Sequence, residues 1–276
     1  MQNNPFDFFF IPVPESERVS IFIHLYGLIL LSVSFIIALI LLFHAIRSVI
    51  YKSKLTNFFL FSHIALILMI LNLLVTKLVL ILSNGEYTAF SRERGFLYAT
   101  GIFFFFIFFP IAIFNIIYTS EKTKRRIKSL FVLIILVIFV GWIFSLLTFL
   151  NLIDESLHNI WSSIIIFPIF LLLILTAIFV YKEIQRSTSK LKMKRLQLIL
   201  IGIIFLSIHA FSSVFLFIGQ FLAIENFIPI YNHIFNPLER SITLTGTIVC
   251  FHLAVFFPIW LQKRLGILTP QSSLNW

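Results

Sequence analysis

Seven apolar runs, at residues 20 to 43, 57 to 82, 96 to 118, 130 to 153, 161 to 181, 197 to 223 and 240 to 261, leave this chain few ways to fold. Each has about the 17 to 25 residues that a helix needs to cross the hydrocarbon core of a bilayer. A backbone in lipid finds no water to satisfy its N–H and C=O groups, so runs of this length predict helices. Strands of a membrane barrel are about ten residues long and alternate in polarity, which these runs do not. Only 12% of residues are charged while 60% are hydrophobic, a balance that excludes a water-soluble globular domain. The expected fold is therefore all-α, a polytopic membrane protein of seven transmembrane helices. The expected organisation is a tail at 1–19, one helical domain at 20–262 and a short tail at 263–276.

Orientation follows from the basic residues, which short cytoplasmic loops retain. Sixteen of the 21 Lys and Arg residues fall after the first, third, fifth and seventh runs. Nine of the eleven acidic residues fall on the other side. This predicts an outside N-terminus and a cytoplasmic C-terminus in the cell membrane. Tyr51, Tyr118, Tyr181 and Trp260 at the inner ends, with Tyr26, Tyr98 and Trp161 near the outer ends, suit the interfacial preference of these rings. The net charge of +10 is then a mark of topology and of an anionic lipid surface, not of nucleic-acid binding. The N-terminal segment has no basic start and no cleavage pattern, so the first helix is expected to be the targeting element. Cys250 is the one cysteine, which excludes a fold built on an internal disulfide.

Lys77 is the one cation in the interior of a run, in "LLVTKLVLILSN". It precedes Ser83 by six residues, about 9 Å of helix, within reach of the headgroups for a snorkelling side chain. That reading is the commoner one for a lysine at this depth. The other is a cation lining an outward-facing pocket, paired with Glu86 or Glu93, that attracts an anionic ligand. His209 and His252 are expected at matching depth, about 14 to 18 Å from the cytoplasmic face. Two such imidazoles would suit packing, ligand binding or a haem, of which packing is the commonest. His24, His44 and His63 sit nearer the span ends and have weaker claims.

Asn72, Asn115, Gln220 and a series of Ser and Thr residues, including Ser34, Thr148, Ser207, Thr243 and Thr247, supply neutral polarity within the runs. Most are expected to bond between helices. The candidate ligand-binding set is thus Lys77, Asn72, Asn115, His209, Gln220 and His252. No carboxylate pair or histidine cluster marks a catalytic or metal centre, so neither an enzyme nor a resident cofactor is expected. The same lack of a buried acid disfavours proton-coupled or sodium-coupled transport.

The run "IIYTSEKTKRRIKSLFVL", with Tyr118 and Thr119 closing the third helix, and "KLKMKRLQLILIGIIFL", with Lys194, Arg195 and Gln197 entering the sixth, resemble the seven-helix sensor region at the N-terminus of some prokaryotic histidine kinases. The resemblance covers roughly residues 20 to 264. Rhodopsin-like receptors fit less well, since "NIIYTS" lacks their acidic-arginine-tyrosine step and no NPxxY follows in the seventh run. The resemblance implies a sensor that binds a small or lipidic ligand among its helices. Such sensors pass their signal to an attached output domain. Here the segment after the seventh run is too short to be one, which implies a separate cytoplasmic signalling partner. The candidate partner surface is Lys122, Lys124, Arg125, Arg126 and Lys128, with Lys190, Lys192, Lys194 and Arg195. A small-molecule transporter or a subunit of a membrane complex is the alternative, and a haem protein using His209 and His252 a third.

Overall fold

The computed structural model describes residues 21–49, 54–82, 91–117, 121–153, 155–221 and 236–256, with the side chains of most of them. Seven helices occupy these residues: α1 (Ile21–Val49), α2 (Lys54–Leu82), α3 (Ser91–Ile117), α4 (Glu121–Phe149), α5 (Glu155–Arg186), α6 (Lys190–Phe221) and α7 (Asn236–Val255). Each packs on its successor, and α7 returns to pack on α1, closing a ring that α2 tightens by also touching α7. The end at which α1, α3, α5 and α7 begin is called the upper end below, and the opposite one the lower end.

Five helices, α1, α2, α4, α5 and α6, are long and apolar enough to cross a membrane, and α3 carries a shorter apolar stretch at Phe96–Phe109. The described part of α7 is more polar, opening with Glu239 and Arg240 and carrying three threonines. Residues 257–261 of its expected run, and both expected tails, lie outside the described residues.

The radial distribution of polarity is that of a chain whose solvent is lipid. Ile29, Val33, Ile36, Ile40 and Phe43 form an exposed stripe down α1, and Phe167, Leu171, Ile174 and Ile178 one down α5. Inside lie Ser34, His63, Asn72, Lys77, His209, Thr243 and His252. Water would impose the opposite arrangement, because exposed apolar surface in it costs about 25 cal/mol per Å². A continuous core links the helices, with Phe109 stacked on Phe251 at a 4.5 Å centroid separation.

Local chemistry sets several helix ends. α4 ends at Phe149 and the chain turns away at Asn151, whose φ of 58° is the left-handed conformation that asparagine tolerates. The Leu152 N–H donates to the Leu147 carbonyl and the Asn151 N–H to that of Thr148, which together satisfy the last turn. α6 starts at Lys190 rather than 197, because the Ser189 hydroxyl accepts from the Lys192 N–H at 3.4 Å and begins the helix early. α7 opens on Asn236 and Pro237, and a proline in the first turn gives up an N–H that has no helical partner there.

The buried hydroxyls correct one expectation. Thr76, Thr100, Ser145, Thr148, Thr176, Ser207, Thr243 and Thr247 each donate to the carbonyl four residues earlier in the same helix. A short side chain on a helix finds that acceptor without help from a neighbour. Hydroxyl bonds between helices are fewer among the described residues and include Ser34 with Ser241, Ser241 to the Leu30 carbonyl, Trp142 Nε1 to Thr100, Thr247 bifurcating to the Gly202 carbonyl, and Tyr98 with His209.

Candidate functional site

The interior holds two polar clusters, one in the upper half and one near the lower end. The upper cluster is built from α2, α3, α6 and α7. Lys77 is only 7% exposed, although its neighbour Leu78 is 41% exposed. One residue of helix rotation, about 100°, separates the lipid-facing from the inward-facing direction. The Lys77 stem lies beside Gly27 of α1 and close to Pro237 of α7. Snorkelling is thereby overturned: the side chain runs into the bundle, because α2 is enclosed by α1, α3 and α7. Among the described residues Lys77 makes no ion pair, and its nearest charged influence is the like charge of Arg240. Glu86 lies outside the described residues, as does the side chain of Glu93.

Beside this cation runs a chain of hydrogen bonds. The Tyr98 hydroxyl stands 3.0 Å from His209 Nε2, and His209 Nδ1 stands 3.3 Å from Glu239 Oε1. A carboxylate only accepts, so Nδ1 donates to Glu239, and Nε2 is the ring atom that meets the Tyr98 hydroxyl. Thr243 donates to the same Oε1 at 3.1 Å, while Oε2 is buried with no partner among the described residues. Arg240 lies over the Tyr98 ring, 5.9 Å from its centroid. Among the described residues, two cations, Lys77 and Arg240, therefore share this region with one carboxylate that is already engaged by an imidazole and a hydroxyl. The excess charge of these described groups is positive, and the chemistry it suits is recognition of an anion.

The lower cluster contains three imidazoles. His44 Nδ1 and His252 Nε2 are 3.0 Å apart, and His63 Nδ1 donates to the Phe59 carbonyl at 2.8 Å. Phe256 packs on both His44 and His252.

The six expected ligand residues thus separate. Lys77 and His209 belong to the upper half, joined through Arg240 and Tyr98. His252 lies thirteen residues along α7 from Glu239, about 20 Å lower, and keeps company with His44 and His63. His209 and His252 are not at matching depth and do not form a pair, which removes the bis-histidine haem reading. The physical reason is the early start of α6, which adds seven residues, about 10 Å, below His209. Asn72 is buried, and its Oδ1 has no partner among the described residues; it lies about 7 Å deeper than Lys77 on α2. The backbones of Asn115 and Gln220 lie in the last turns of α3 and α6, but their side chains are outside the described residues.

The same holds for the side chains of Lys122, Lys124, Arg125, Arg126 and Lys128 on the first turns of α4. Lys190, Lys192, Lys194 and Arg195 stand at the lower end of α6, with Lys192 Nζ 2.6 Å from Glu183 Oε1. Glu239, Tyr98, His44 and His63 were missed as cluster members. The Asn236–Pro237 helix start was the signal that placed Glu239 within α7 rather than in a loop. No set of three or more His, Cys, Asp or Glu side chains among the described residues is arranged to hold a metal ion. No family model, curated protein or solved structure matches the chain.

Proposed function

We propose that this chain is a receptor-like sensor of the cell membrane, crossing it seven times with the upper end outside and the lower end cytoplasmic. It binds a small or lipidic anion in its upper half and signals to a separate cytoplasmic protein. One observation carries this reading: the buried ammonium of Lys77 has no counter-ion among the described residues and shares its surroundings with Arg240. An unpaired charge in an apolar bundle costs several kcal/mol, and a carboxylate or phosphate arriving from the upper end would offset that cost.

Lys77 borders α1 and α7, the two helices whose contact closes the ring. An anion there favours whichever packing of α1, α2 and α7 best surrounds it, and a ligand shifts an equilibrium only through such a difference in affinity. The basic segments at 122–128 and 182–195 are the output surface in this reading, in keeping with the resemblance to kinase sensor regions.

The test is a gentle-detergent pull-down of the tagged chain beside a variant with Lys122, Lys124, Arg125, Arg126 and Lys128 neutralised. Capture of a kinase or response regulator by the native chain, lost from a variant of unchanged membrane orientation, supports the sensor. Equal capture by both, or capture by neither, overturns signalling through these loops. Flux of an anion in reconstituted vesicles without any partner would then favour the transporter.

A further inference from the structure

We infer that His63 and His252 form a transition-metal site near the lower end of the bundle, taking an ion that prefers imidazole, zinc or copper. The Phe59 carbonyl can only accept, so His63 Nδ1 is the N–H and, in the neutral ring, Nε2 is a bare lone pair. That Nε2 is buried with no hydrogen-bond partner among the described residues, and the residue as a whole is fully buried.

His252 is 5% exposed, and its Nδ1 is likewise buried without a partner among the described residues. Its other nitrogen, Nε2, shares one proton with His44 Nδ1 across 3.0 Å. If His44 donated, His252 Nδ1 would be an orphaned buried N–H, the rarer and costlier kind of unsatisfied group. If His252 donates, Nδ1 is a second bare lone pair. The inner bonds thus leave each ring one free donor atom and fix its tautomer through the other nitrogen. That is the arrangement metal-binding histidines take, with the remote N–H held by a carbonyl or another acceptor.

The spacing agrees. Metal–nitrogen bonds of about 2.0 to 2.1 Å put the centroids of two imidazoles on one ion about 5.2 Å apart at a tetrahedral angle and about 6.4 Å apart in line. The His63 and His252 centroids are 5.7 Å apart, with planes at 65°. His44 and His252, at 4.9 Å, fall short of that range, as suits two rings bonded directly to each other. His44 is then a positioning residue that fixes the His252 ring, and the protein supplies two ligands. The remaining positions are left to water or a small anion, an open shell that suits an exchanging ion better than a permanent structural one.

The experiment uses the full chain, purified in detergent and stripped of metal, titrated with Zn2+ and separately with Cu(I) by calorimetry, with bound metal counted by elemental analysis. The expected result is one ion per chain with a sulfur-free X-ray absorption shell of nitrogen and oxygen that shows the outer scattering of two imidazoles. His63→Asn and His252→Asn should each abolish stoichiometric binding. His44→Ala keeps both ligands and should weaken binding about 10- to 100-fold, the usual effect of losing an outer-shell partner. Circular dichroism and elution volume establish that each variant is folded. If a ligand variant does not fold, His44→Ala and the absorption spectrum of the native chain decide the matter. Failure of the native chain to retain either metal, uptake of a proton alone, or binding that survives in folded His63→Asn and His252→Asn would overturn the site.

Discussion

Gly27 of α1 lacks a side chain where the stem of Lys77 passes from α2 towards α7: a Cβ there would stand 3.3 Å from Lys77 Cε and as close to Pro237. The absent methyl lets a lysine lie between three helices instead of turning out to lipid. The buried cation thus depends on a small residue fifty positions away in sequence.

Lys77→Met should raise thermal stability in detergent, by about 1 to 3 kcal/mol, because it replaces a buried charge that has no ion pair among the described residues with an apolar side chain of similar length. Decanoate and lysophosphatidate serve as probes of the anion site. Each should raise the unfolding temperature of the native chain and leave that of the methionine variant unmoved. Equal shifts in both would detach Lys77 from anion binding. Gly27→Leu, which occupies the path of the lysine stem, should also remove the ligand-dependent shift.

Tyr98, His209 and Glu239 should behave as one unit. A double-mutant cycle of His209→Ala and Glu239→Gln is expected to give a coupling of about 0.5 to 3 kcal/mol in unfolding free energy, since the two share a hydrogen bond. Additive losses would mean that the 3.3 Å contact contributes nothing measurable.

Gly202 lets α6 approach Phe251. A Cβ at that position would lie 2.7 Å from Phe251 Cδ1, and the ring cannot retreat because it stacks on Phe109. Gly202→Ala should therefore destabilise the bundle by about 1 to 3 kcal/mol through overpacking, read as a lower unfolding temperature.

Lys192→Ala separates stability from output. Its ion pair with Glu183 is part-exposed, with 38% of the lysine side chain accessible. Exposed pairs contribute about 0 to 1 kcal/mol, so the unfolding temperature should scarcely move. Loss of the captured signalling protein in the same variant would assign Lys192 to the partner surface.

The sequence by itself determined the helical architecture, since long apolar runs have no other stable form in lipid, and each of its seven runs overlaps one of the seven helices of the described residues, the largest displacement being at α4, which begins at Glu121 and not at 130. Its element boundaries failed where local caps intervened. Ser189 started α6 early and the turn at Asn151 ended α4 early. The composition of Lys77, His209 and His252 was legible, but their company was not. Rotation about a helix axis decides whether a lysine meets lipid or α1, and that rotation is set by neighbours such as Gly27. Depth was misjudged for His209 because counting began from apolar residues, whereas α6 begins in a basic segment. Only the packing of α7 against both α1 and α2 brought His44, His63 and His252 together, residues that their positions near separate helix ends gave no reason to group.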